Sequence, residues 1–201
     1  MTRSALRSLA VVAALLAPLA ALAQAPPGVA RGTIQALHGD TLTLRTYAGR
    51  TETIELAKNW NVTVLEPVSV SAIRPGSFIG TAEMPQGHGT GRSIEVHVFP
   101  PGEKFGAGHY AWSLRKGSMM TNGTVGRVTR TASGRVLIVR YPHGSRRIVV
   151  PKHIPIVEFA NGERTLIKRG VAAFLIVAKG PKGGLLSSGI AIGEHGARPP
   201  M

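Results

Sequence analysis

Apolar and polar residues alternate with a period of two along much of the chain. In Thr41-Leu42-Thr43-Leu44-Arg45 the two leucines fall on one face, with Thr and Arg on the other. That is the pattern of a strand with one face buried. Strand-like segments also open at Arg31-Gly32-Thr33-Ile34 and recur at Thr53-Ile54-Glu55-Leu56, Val62-Thr63-Val64, Ser77-Phe78-Ile79 and Ile94-Glu95-Val96-His97-Val98. Tyr47-Ala48-Gly49-Arg50 supplies a turn, and Ile73-Arg74-Pro75-Gly76 supplies another, since Pro sets φ and Gly frees it. No segment sustains a 3.6-residue apolar period, so helix is confined to single turns such as one near Ser69 to Ile73.

The second half runs through the same order. Asn122-Gly123-Thr124-Val125 matches the first strand opening, Val136 to Tyr141 and Arg147 to Val150 match the hairpin, and Ile167-Lys168-Arg169-Gly170 matches Ile73 to Gly76. Ile190-Ala191-Ile192 then matches Ile94 to Val96. An internal duplication is the economical account. Antiparallel units of this size close into small barrels, which removes exposed edges. The expected fold is all-β: two tandem small OB-like β-barrels related by duplication, residues 24–100 and 122–196. An ordered aromatic and Gly-rich linker, 101–121, joins them, and 197–201 form a tail. Leu137-Ile138-Val139, Ile148-Val149-Val150 and Phe174 to Val177 are continuous apolar runs. Both faces of those strands are therefore expected to leave water, one packing on the first copy, the linker or another subunit.

The chain begins with a short basic stretch, Arg3 and Arg7, then the apolar run Leu9 to Leu22, then Ala21-Leu22-Ala23. This is the make-up of a secretory signal peptide covering residues 1–23. The run is short of the roughly 20 residues that cross hydrocarbon, and Pro18 interrupts it. A soluble exported protein, periplasmic or secreted, is the expectation, with no membrane span after the leader. The absence of Cys excludes thiol catalysis, Cys-based zinc sites and disulfides, and the single Asp, Asp40, disfavours two-metal phosphoryl transfer.

Charge is unevenly spread. Residues 24–100 balance, whereas 101–201 carry most of the formal net charge of +14. Arg127, Arg130, Arg135, Arg140, Arg146, Arg147 and Lys152 surround one hairpin of the second copy. Such a cluster suits an anionic partner, such as lipid head groups or lipopolysaccharide phosphates in an envelope. Nucleic acid is the weaker reading, because aromatic stacking platforms are scarce at 5% Phe, Trp and Tyr. His88, His97 and His109, with Met119 and Met120, are candidate copper or zinc ligands, since imidazole and thioether suit exported copper sites. Their spacing is irregular, and His97 otherwise alternates outward on its strand. Tyr110 and Trp112 make the linker apolar, so it should lie against a barrel and fill the gap between the copies, with a ligand pocket edged by Trp112 and His109 as the alternative. No nucleophile elbow, His-Glu-x-x-His or phosphate-binding loop is present. The reading is a non-enzymatic binding or envelope-associated module without a cofactor, with metal binding and nucleic-acid binding as alternatives.

The leader, the Gly-Thr-Ile opening, Glu95 to Pro100, Gly108-His109-x-x-Trp112, Ser118 to Val125 and the terminal Pro199-Pro200-Met201 together resemble a group of uncharacterised exported proteobacterial proteins. The resemblance spans the chain after its leader. It implies tandem β-barrel domains and export, and no activity, since the group has no established catalytic residues. Some members carry a metal-transporter label, yet a permease needs several spans that this sequence lacks.

Overall fold

The computed structural model describes residues 28–201; the leader and its cleavage site lie outside the described residues. The chain there is all-β. Its strands are β1 (Gly28–His38), β2 (Thr41–Thr46), β3 (Thr51–Pro67), β4 (Phe78–Pro85), β5 (Thr90–Val98) and β6 (Gly108–Ala111). Then follow β7 (Met119–Thr131), β8 (Gly134–Tyr141), β9 (Gly144–Pro151), β10 (Ile156–Gly162), β11 (Ala172–Lys179) and β12 (Leu185–Gly193). Helix is limited to single 3-10 turns, including Val70–Ala72, where the Ser69 hydroxyl caps the Ser71 amide.

Strand pairing corrects the expected domain boundaries. β1, β2 and β3 form an antiparallel meander, but β11 and β12 close it, β11 against β1 and β12 parallel to β3. The second ring is β4-β5-β9-β8-β7, with β9 parallel to β5 and β7 closing on β4. Each barrel thus takes its meander from one half of the chain and its hairpin from the other, so 24–100 and 122–196 do not delimit two barrels. The crossings fall between β3 and β4 and between β9 and β11, and β10 ties the rings together by pairing β3 and β5. The physical reason is that the two hairpins carry equivalent apolar patterns. Periodicity dictates which face each hairpin buries and leaves open which meander receives it.

Two apolar cores follow the exchange. One joins Leu42, Leu44, Ile54 and Val62 to Leu175, Val177, Ile190 and Ile192; the other joins Ile79, Val96 and Val98 to Leu137, Val139, Ile148 and Val150. A third cluster, Leu65, Val157, Phe174 and Met201, packs between the barrels with Trp112.

The expected linker is largely structured: β6 pairs with β7, which already begins at Met119. The continuous apolar runs divide. Ile138 and Val149 are only half-buried on the outside of their barrel, whereas Phe174 is buried outside its own barrel beneath Trp112.

Candidate functional site

The two barrels face each other across a cleft of about 840 Å³. Its floor is the outer face of β5 and β7, with His97, Met120 and Asn122, and its far wall is the outer face of β1 and β11, with Val29, Phe174 and Ile176. The segment between β5 and β7, with Phe99, Phe105, Tyr110 and Trp112, covers it, and Phe159 of β10 fills one side. Six of the ten Phe, Tyr and Trp residues therefore line one cleft in a chain that has few. Phe99 and Phe159 meet edge to face with centroids 4.9 Å apart, and both pack on the His97 ring at 5.3 Å. Phe105, Tyr110 and Ile176 stay exposed and mark the mouth.

Two polar side chains stand in this apolar floor. Glu95 and His97, two residues apart on β5, share the outer face, which was expected to leave His97 in water. Instead the covering segment buries it, and only 4% of His97 is exposed. The fully buried Glu95 accepts the Ala82 amide through Oε1 at 2.7 Å and faces His97 Nδ1 through Oε2 at 3.2 Å. The carboxylate therefore orients the imidazole by drawing a ring hydrogen to Nδ1. Beside it, Asn122 of β7 donates from Nδ2 to the Phe105 carbonyl at 3.2 Å and the Tyr110 hydroxyl at 3.1 Å. Asn122 Oδ1 is buried without a hydrogen-bond partner among the described residues. Gly80 of β4 makes room for both, since a Cβ there would stand 1.9 Å from His97 Nε2 and 2.4 Å from Asn122 Oδ1.

Arg31 closes the far end. Its guanidinium lies 5.5 Å from the Trp112 ring centroid and 5.4 Å from that of Phe174, and Nε donates to the Met201 carbonyl oxygen at 2.8 Å. Burial lowers its pKa, an effect opposed by the nearby Glu95 carboxylate. Burial raises that of the Tyr110 phenol.

A second polar cluster sits on the other side of the same strands. Glu83, wholly buried, is bridged by Arg146 of β9, and His109 of β6 stands 3.7 Å from it while bonding Thr121 Oγ1 at 2.9 Å. Burial pushes the Glu83 carboxyl up against the opposing pull of Arg146; burial, then the Arg146 charge, pushes His109 down.

These placements sort the residues singled out by sequence. Tyr110 and Trp112 line the cleft. Arg146 is not part of an open basic surface; it turns inward to Glu83. Arg127 and Arg147 flank Ile138 in register across β7, β8 and β9, exposed as Arg130, Arg140 and Lys152 are. Lys152 borders a separate shallow depression with Arg92, Arg115 and His153. His97 and His109 lie on different faces, and His88 sits in the β4–β5 turn; Met119 and Met120 of β7 stand opposite Ala111 and Tyr110 of β6, and Met120 lines the cleft with His97, whereas His109 does not. Among the described residues no three His, Asp or Glu side chains converge on one point. Sequence reasoning passed over Glu95, Asn122, Phe99, Phe159 and Phe174. The one available signal was Glu95-Val96-His97, whose alternation puts an acid and an imidazole on the same strand face. Comparison with family models, with curated proteins and with solved structures found no match to this chain.

Proposed function

We propose that this protein is an exported, non-enzymatic binding module that holds a small, flat and largely apolar molecule in the cleft between its barrels. The observation that carries the reading is the gathering of six aromatic side chains around one cleft with His97 and Asn122 at its floor. A cavity of this size and make-up, apolar with a few placed polar groups, is what small-molecule sites share. Aromatic rings meet flat ligands edge-on or offset, and such pairs contribute about 0.5–1.5 kcal/mol each beyond area burial. The test is titration with N-phenylnaphthylamine, followed by its emission on entering an apolar site. Saturable binding, weakened about tenfold by Trp112→Ala or Phe174→Ala, is expected, since tenfold corresponds to about 1.4 kcal/mol. Emission that does not saturate, or that both variants leave unchanged, would end the proposal.

A second reading concerns an anionic envelope component. Arg92, Arg115, Lys152 and His153 surround one shallow depression, and the Arg127–Arg147 pair lies on the exposed face of the same barrel. Contacts of this kind weaken steeply with salt, whereas an apolar cleft strengthens. Retention on anionic vesicles at low salt and release at high salt is the expected result.

Each barrel, on this proposal, is OB-like, and the two halves descend from one duplicated unit. Supporting it, Gly32 and Gly123 occupy equivalent positions. A Cβ would stand 2.1 Å from the Arg45 carbonyl oxygen in one and 2.3 Å from that of Arg140 in the other. The crossing contacts also match: Gly76 N–H donates to Val125 O, and Gly170 N–H to Ile34 O, both at 2.8 Å.

A further inference from the structure

We infer that the depression beside β5 binds a phosphate monoester, with Arg92, Arg115 and Lys152 taking the phosphate and the floor taking the carbon that carries it. The inference rests on the reading of this barrel as anion-binding, and names the group bound and its place. β9 pairs with β5 as far as Val149 opposite Arg92, and β10 takes over at Ile156 opposite Val96. Between those pairings the chain 150–155 arches away from β5, which leaves a depression of about 570 Å³ floored by the half-buried Ile94 and Ile154. Pro151 and Pro155 bracket Lys152-His153-Ile154, and their fixed φ angles stiffen the arch. Arg115 is held from the other side: its N–H donates to the buried Ser118 hydroxyl at 3.1 Å, and its carbonyl oxygen accepts the Ser118 N–H at 3.0 Å. Arg92 is fixed by its strand, between Met84 and Val149.

Charge identifies the group. Arg92, Arg115 and Lys152 are exposed, and none forms an ion pair among the described residues. No Asp or Glu lines the depression. Unpaired like charges gathered in one concavity repel each other, and a bound anion relieves that repulsion. A carboxylate, a sulfate ester or a phosphodiester brings a single negative charge. A phosphate monoester brings about −1.5 to −2 at pH 7 and three strong acceptor oxygens. Guanidinium forks match those oxygens in geometry, and the Lys ammonium adds a point charge.

Calorimetric titration of the whole mature protein at fixed ionic strength compares butyl phosphate with butyl sulfate, which share a shape and differ in charge. Butyl phosphate is expected to bind about tenfold more tightly. Arg92→Gln with Lys152→Gln should weaken it about tenfold or more, while Arg127→Gln with Arg147→Gln leaves it unchanged. All four side chains are exposed, so neither double variant disturbs a core. Phosphatidylcholine vesicles carrying phosphatidic acid separate the two sources of the group. Retention on them that butyl phosphate competes away assigns a lipid head group, and ester binding without retention assigns a soluble ester. Equal affinity for the two esters, vesicle retention without ester binding, or a loss that the Arg127 and Arg147 variant shares, overturns the site and leaves the anionic reading standing. Neither ester bound, and no retention on vesicles of phosphatidic acid or of phosphatidylglycerol, overturns both.

Discussion

The exchange of hairpins between barrels makes a prediction that a cysteine-free chain is well suited to test. Thr33 of β1 stands opposite Ala172 of β11. Ile34 N–H donates to Val171 O at 2.9 Å, so the Thr33–Ala172 pair is the non-hydrogen-bonded kind. Such pairs have Cα atoms about 4.5 Å apart, inside the range a disulfide spans. Both side chains leave the barrel on its outer face, since neighbours Ile34 and Ala173 point into the core. The double variant Thr33→Cys with Ala172→Cys should therefore oxidise within one chain. The bridge closes a loop of about 140 residues, and chain entropy alone places its stabilisation near 5 kcal/mol. Engineered bridges commonly deliver less, so a gain of about 2 kcal/mol or more is the expectation. Denaturant unfolding of oxidised and reduced protein gives the difference, and mobility on a non-reducing gel reports the closed loop. The control is Thr33→Cys with Phe78→Cys, since Phe78 faces Thr124, the equivalent of Thr33, and would face Thr33 if each barrel used its own half of the chain. Bridging of the control pair, with no bridge in the first, would refute the exchange.

Three other outcomes follow from the same geometry. Arg146→Met leaves Glu83 buried without its partner and should cost about 3–5 kcal/mol in urea unfolding, most of it recovered when Glu83→Gln is added. His109 has its pKa lowered in the folded state, so unfolded chains bind more protons around and below pH 6.5, and folding loses stability as pH falls through that window. The difference in unfolding free energy between wild type and His109→Gln should shrink on acidification below 6.5; a difference that grows instead would contradict the sign. Protein recovered from the envelope of its native host should begin at Gln24 on N-terminal sequencing, and an intact leader on the mature protein would argue against export.

The strands were legible because alternation is a local property. Leu42 and Leu44, or Val96 and Val98, identify their buried face without reference to any partner, and the turns at Gly49 and Gly76 punctuate them. Partner choice was not legible. Two hairpins with the same pattern satisfy either meander, and the deciding features are the two crossings and the bridging strand β10. The site was half legible for a related reason. Tyr110 and Trp112 stand out as apolar residues in a segment composed like a spacer. Phe159 and Phe174 look like ordinary core residues until the second barrel arrives opposite them. His97 read as solvent-facing because period two reports which face a side chain takes, and a covering segment far along the chain changes what that face meets. Arg146 read as one of seven surface cations, since only the folded barrel brings the buried Glu83 beneath it.

On the proposed function, the cleft between the barrels, and not the arginine-rich outer face, holds the apolar ligand. A crystal structure of the protein soaked with N-phenylnaphthylamine decides between the two surfaces. The ring is expected inside the cleft, between Phe159 and Trp112. A ring lodged on the β7–β8–β9 face beside Arg127 and Arg147, with the cleft holding none, would contradict it.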